Sequence, residues 1–215
     1  DYSGRLWLRS DEPTFLAWSK HWLEAVNPVV EPHQITRKKP GEPGVILYQV
    51  ENEYDFMGNA GNVFSDEQKI RHLKALAETA IAGGIDVPLF TCWTKQIRGS
   101  KDPVLSRIFD TCNHYPRWNV EGELGQKLPQ LRREQPDAPM MVAEMQGGWF
   151  SGVGGKLSEE QDGVDAKQIN NLVLYGLQQG LTAINYYMLF GGTNLGNMGG
   201  RDLTSSYDYN APIRE

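Results

Sequence analysis

Cysteine is scarce in this chain. Cys92 and Cys112 are the only two, too few for the disulfide framework that staples small, core-poor extracellular domains. Each falls near the end of a neighbouring predicted strand. A bridge between them is open, and two reduced, part-buried thiols are the favoured reading. Histidine is also scarce. His21, His33, His72 and His114 show no metal-ligand spacing, and a Cys112-x-His114 pair without further ligands does not make a zinc site. No metal and no cofactor is therefore expected. Positive charge is in deficit: 21 Lys and Arg against 27 Asp and Glu leave a net charge of -6. That speaks against nucleic acid or an anionic membrane as partner, since both call for a basic face. No apolar run approaches the ~18 residues of a membrane span. No secretory leader is visible, but the chain opens on Asp1 and not on Met, so the compartment stays unknown.

What is present suits one sizeable core: 215 residues, 40% hydrophobic and 22% charged. The chain is organised around residues 45–54, Val-Ile-Leu-Tyr-Gln-Val-Glu-Asn-Glu-Tyr. A short apolar run, the pattern of a strand buried on both faces, breaks into two carboxylates, an amide and a phenol. Residues 140–144 repeat the design, with Met140, Met141, Val142 and Ala143 running into Glu144, then Gln146, Gly147, Gly148 and Trp149. Parallel α/β barrels present reactive groups at strand ends in this way. A single Glu there is ordinarily a solvated surface group. The company of Asn52, Trp149, Asn185 and Tyr187 points further, because sugar sites combine carboxylates, amides, phenols and a flat indole. Period-2 alternation would put Glu51 and Glu53 on one strand face.

Strands and helices alternate along the rest of the chain. Ser10, Asp11, Glu12 and Pro13 start a helix that carries Phe15, Leu16, Trp22, Leu23 and Val26 on one side and ends at Pro28 and Pro32. The first strand covers 45–50, followed by a Gly/Asn-rich loop over 56–64. Ser65-x-x-Gln68 is a capping box, and the helix behind it stops at Gly83-Gly84. Further strands are expected over 87–92, 107–111, 139–144 and 183–187. Helices are expected over 122–133 and from Asp165 to a stop at Gly180. A polar-aromatic loop covers 113–118. Trp93 stands at a strand mouth as packing or sugar platform, and Leu6, Trp7 and Leu8 suit a barrel end. The segment from Gly191 reads as a long functional loop. Five strands and four helices make a parallel α/β domain.

Residues 49–54, Gln-Val-Glu-Asn-Glu-Tyr, resemble the active-site signature of glycoside hydrolase family 35, the family of many β-galactosidases. Residues 144–150 resemble its nucleophile segment, a Glu followed at fixed spacing by Gly-Trp. Asn185-Tyr186-Tyr187-Met188, Gly191-Gly192-Thr193-Asn194 and residues 204–212 continue the match in family order. Three departures bear on loop shape and substrate preference and not on the acid pair. Glu42-Pro43-Gly44 stands where the family usually has Gly-Gly-Pro, Asp55 where it has Gly, and Ala143 where it has Ser or Thr.

The resemblance implies that residues 1–215 are strands four to eight of one (β/α)8 TIM barrel, a fold that typically takes ~250 residues. Strands one to three, and later β-rich domains, would lie outside it, and the remainder of the barrel would be a partner. It further implies a retaining hydrolase of terminal non-reducing β-D-galactosides. Glu53 would be the acid/base and Glu144 the nucleophile, their carboxyls ~5–5.5 Å apart. Asn52 would bind the sugar 2-hydroxyl, Tyr187 would stand beside the nucleophile, and Trp149 would be a sugar platform or core packing. Asn185 joins the substrate-binding set. Glu51 reads as structural, a buried partner to a base outside the chain. Another β-glycoside such as a glucosaminide, or a non-catalytic sugar-binding piece, are the alternatives. A glycan partner and an exported protein fit the resemblance.

Overall fold

The computed structural model describes residues 7–56, 63–196, 199–200 and 202–214. Leu6 and residues 57–62 of the Gly/Asn-rich loop lie outside the described residues, as do positions 197, 198 and 201 of the segment from Gly191. The chain divides into two compact units, residues 1–111 and 112–215.

The first unit opens with α1 (Pro13–Val30), capped by the Glu12 carboxylate, which accepts from the Phe15 amide at 2.9 Å. Pro28 lies inside α1, so the helix ends two residues later than the prolines suggest. Trp22 is 68% exposed and does not share the packed side with Phe15, Leu23 and Val26. Only Asn27 is fully buried on α1. Its amide donates to Thr79 O at 3.2 Å and accepts from the Tyr48 hydroxyl at 2.9 Å. Gly83 makes that approach practicable, since a Cβ there would lie 2.4 Å from the Asn27 amide nitrogen.

The first strand, β1 (Tyr48–Glu51), starts three residues later than the apolar run. Val45 is occupied elsewhere: its N–H and C=O bond to His33 O and the Ile35 amide, both at 2.8 Å. Beyond β1, Ser65 caps α2 (Asp66–Ala82), with both bonds of the capping box in place. Then comes β2 (Leu89–Cys92), and β3 (Ile108–His114) begins. Tyr48 pairs with Leu89, and Leu89 with Ile108, all in parallel. Leu73, Ala77, Ala80, Ile85, Val87, Leu89 and Leu105 form the core beneath them.

The second unit continues β3 to His114, three residues past the expected end, because every residue of the strand is buried and Cys112 to His114 find partners on β4. Then follow α3 (Val120–Glu134), β4 (Met141–Gln146), α4 (Ala166–Gln178) and β5 (Ala183–Tyr187). Asp165 caps α4 by accepting from the Gln168 amide at 2.9 Å. The segment from Gly191 is more ordered than a loop. Strands β6 (Phe190–Thr193), β7 (Ser206–Tyr207) and β8 (Ile213–Arg214) form a small sheet in the order β7-β6-β8. Both cysteines are buried thiols. No helix among the described residues is long and apolar enough to cross a membrane.

The fold class is α/β. Five parallel strands hydrogen-bond in chain order, β1-β2-β3-β4-β5, with α2, α3 and α4 in three of the connections and two 3-10 turns between β2 and β3. Sequential parallel order with helical crossovers is the topology of part of a (β/α)8 barrel.

Candidate active site

In the first unit β1 ends at Glu51, and a register shift between Gln49 and Glu51 precedes the end. The chain then turns. Glu53 takes φ 50°, in the left-handed region that non-glycine residues enter rarely. Strand alternation therefore stops before Glu53, and the expected shared face of Glu51 and Glu53 does not hold. Asn52 is exposed, and its side-chain oxygen accepts from Gln49 at 3.0 Å. Downstream, Tyr54 is wholly buried and donates its hydroxyl to Arg9 O at 2.9 Å. Asp55, standing where glycine is usual, meets the buried Lys69 ammonium at 2.7 Å and accepts from the Lys95 amide at 3.1 Å.

Glu51 is a buried ion partner, as expected, but its partners lie inside this chain. One oxygen meets the Arg9 guanidinium and the other His72 Nε2 at 2.9 Å. Burial alone would raise the Glu51 pKa. The His72 hydrogen bond and the Arg9 charge outweigh it and hold the carboxyl below its ordinary range. The sign follows: a depressed folded-state pKa gives stability that is present above the unfolded value, about 4.3, and is lost as pH falls through the folded value. Glu51→Gln should therefore lower the urea midpoint of the intact protein fully above about pH 5, and the gap to wild type should shrink as pH falls below about 4.3 and through the depressed folded-state value. A gap constant with pH would mean that the fold does not use the charge of Glu51.

In the second unit Glu144 stands on β4, opposite Asn113 of β3, and accepts a hydrogen bond from the Tyr115 hydroxyl. Burial, and then that bond and the Glu144 charge, push the Tyr115 phenol far up, so it stays protonated and keeps donating. Tyr115 packs edge-on against Trp149 and Tyr187, with ring centroids 5.5 and 6.3 Å away. Tyr187 shares a 2.6 Å hydrogen bond with Tyr207 and packs on Tyr209 at 5.3 Å. Tyr207 and Tyr209 also have raised pKa values, through burial first, then the Tyr187 phenol for Tyr207, the Tyr207 and Tyr187 phenols for Tyr209, and the Glu144 charge for both. Trp149 packs among these rings and is half-buried, with Arg117 over its face at 5.6 Å. Asn185 donates to Ala143 O at 2.9 Å and so ties β5 to β4 beside Glu144.

The Gly-Trp spacing after Glu144 has a steric cause. A Cβ on Gly148 would fall 1.5 Å from the Tyr209 carbonyl oxygen, so only glycine lets the two segments cross. Asn52 and Glu53 belong to the first unit, and Glu144, Trp149, Asn185 and Tyr187 to the second. Sequence reasoning singled out all six. It did not single out Tyr115, whose signal was its place just beyond a strand end. Arg9 and His72 carry no local signal, since they lie 42 and 21 residues from Glu51. No group of His, Cys, Asp or Glu among the described residues is arranged to hold a metal ion.

Residues 2–215 match the family model described as Glycosyl hydrolases family 35. Among curated relatives, the chain is 28% identical over 233 residues to "Probable beta-galactosidase B" of Talaromyces marneffei, which covers 97% of this chain and 22% of that protein. It is 28% identical over 228 residues to "Probable beta-galactosidase C" of Aspergillus niger, covering 97% and 22%. It is 28% identical over 214 residues to "Beta-galactosidase" of Canis lupus familiaris, covering 97% and 29%. The chain thus spans about a quarter of the length of these relatives.

Proposed function

This chain belongs to glycosyl hydrolase family 35, and we propose that it carries both catalytic carboxylates of a retaining β-galactosidase. The observation that supports this most is Glu144 on a parallel strand, accepting from a phenol that stays protonated, within a cluster of Trp149, Tyr187, Tyr207 and Tyr209. An acceptor-only carboxylate beside flat aromatic faces suits attack on a sugar carbon. Glu144 forms a bond to the anomeric carbon while the bond to the leaving oxygen breaks. The electron pair goes to that oxygen, which takes the Glu53 proton. Water then loses a proton to Glu53 and attacks the galactosyl-enzyme, returning the Glu144 carboxylate. Asn52, Trp149, Tyr187 and Asn185 contact the sugar, with Asn52 on its 2-hydroxyl. The polypeptide supplies strands four to eight of the barrel, and activity belongs to the intact protein.

Two inversions at one carbon leave its configuration unchanged. Following a β-galactoside by NMR, the first product should be β-galactose, before mutarotation. Initial α-galactose would rule out Glu144 as a covalent nucleophile, and inertness towards galactosides with turnover of glucosaminides would move the substrate class.

A further inference from the structure

Three side chains from separate parts of the first unit converge beneath the Asn52–Glu53 turn. Arg9 precedes α1, Glu51 ends β1, and His72 lies in the middle of α2. Their side chains are 31%, 10% and 1% exposed. The Arg9 guanidinium meets both the Glu51 carboxylate and the Asn52 carbonyl oxygen, the latter at 2.5 Å. The same Glu51 oxygen accepts from the Asn52 amide at 3.1 Å. Asn52 therefore has its N–H, its C=O and, through Gln49, its side chain all tethered. His72 completes the arrangement from below. Its Nε2 donates to the second Glu51 oxygen, while its ring stacks on Tyr54 at 5.1 Å and lies 5.8 Å from Phe15. Its Nδ1 is buried and has no hydrogen-bond partner among the described residues. A side chain that leaves one buried polar atom unmatched is there for its other nitrogen and its ring.

Glu53 sits between these fixed points. Upstream are the tethered Asn52 peptide groups. Downstream, Tyr54 donates from its amide to Cys92 O at 3.3 Å, and Asp55 from its amide to Trp93 O at 2.9 Å. A left-handed backbone at a non-glycine residue persists only where its surroundings hold it. Here the surroundings are the Arg9–Glu51–His72 network on one side and the Asp55–Lys69 pair on the other.

We propose that Arg9, Glu51 and His72 are positioning residues that aim Glu53 at the leaving-group oxygen by holding both peptide groups of Asn52. None of the three touches substrate. They act through the backbone of the turn, and the inference rests on Glu53 being the acid/base. Loosening the network should harm proton delivery more than carboxylate attack, because a displacement of the order of an ångström at a catalytic group is worth up to roughly 10²-fold.

Leaving-group dependence separates this from a general loss of fold. In the intact enzyme, kcat/KM is measured for methyl β-galactoside, whose leaving oxygen needs a proton, and for a dinitrophenyl galactoside, which does not. Misfolded protein lowers both equally and leaves their ratio unmoved. Glu51→Gln and His72→Leu should lower the methyl-to-dinitrophenyl ratio by roughly 10-fold or more. His72→Gln, which keeps an N–H near the position of Nε2, should hold the ratio near wild type. Glu51→Gln is isosteric and carries the test if His72→Leu does not fold. If Glu53→Ala lowers the ratio while Glu51→Gln and His72→Leu leave it unchanged, the positioning role is overturned and the acid/base assignment stands. If Glu53→Ala itself leaves the ratio unchanged, the acid/base assignment falls and takes the positioning role with it.

Discussion

Glu144→Gly is expected to leave the intact enzyme nearly inert towards every galactoside, activated or not. The attacking carboxylate is then gone, and no leaving group, however good, restores the missing bond to the anomeric carbon. Deleting a nucleophile costs on the order of 10⁵-fold or more in turnover. The loss should be reversible by chemistry from outside. Azide is small enough for the space the side chain leaves, and it would attack from the face that Glu144 used. One inversion from a β-galactoside gives the α-galactosyl azide, with the aglycone leaving as its oxygen takes the Glu53 proton. Product analysis by NMR reads this directly. Recovery of the β-azide, or a variant that keeps several per cent of wild-type activity, would remove Glu144 from the nucleophile's role. The Tyr115 phenol, pushed up by burial and by Glu144, stays protonated and donates to one oxygen of that carboxylate.

The second large effect belongs to Glu53. Glu53→Ala should slow substrates with poor leaving groups by roughly 10²–10⁴-fold, the usual worth of general acid catalysis. A dinitrophenyl galactoside barely needs protonation, so its first step should survive. The galactosyl-enzyme should then accumulate, since no base activates water, and mass spectrometry of the quenched protein would find it. Azide needs no base. It should restore turnover and give the β-galactosyl azide, because two inversions have occurred. Opposite azide stereochemistry from the two variants is the strongest single discriminator between the roles. If Glu51→Ala shows this full pattern, including the β-azide, while Glu53→Ala shows none of it, then the acid/base lies two residues earlier. That outcome conflicts with the position of Glu51, which is enclosed by Arg9 and His72.

The amino-acid sequence by itself determined those parts of the protein whose causes are local. Ser65 and Gln68 satisfy each other's backbone within one helical turn, so four residues of sequence suffice to start α2. Asp165 caps α4 within its own first turn by accepting from the Gln168 amide. The β5 bounds, 183–187, agree with the strand expected after Gly180. Glu53 and Glu144 were singled out because motif spacing is a property of short stretches, but β4 runs two residues past Glu144 to Gln146, so the expected strand end at Glu144 does not hold. The tertiary structure decided what depends on residues far apart in sequence. Val45 looks like strand, yet its backbone is taken by His33 and Ile35, so β1 begins at Tyr48. Period-2 alternation would have put Glu53 beside Glu51, but the register shift and the left-handed turn, sustained by distant partners, redirect it. Arg9 and His72 belong to Glu51 only once α1's approach and α2 have packed against β1, and Tyr115 belongs to Glu144 only once β3 and β4 have paired. A hydrogen bond between such groups is written in the folding of the chain between them, and no window of neighbouring residues contains it.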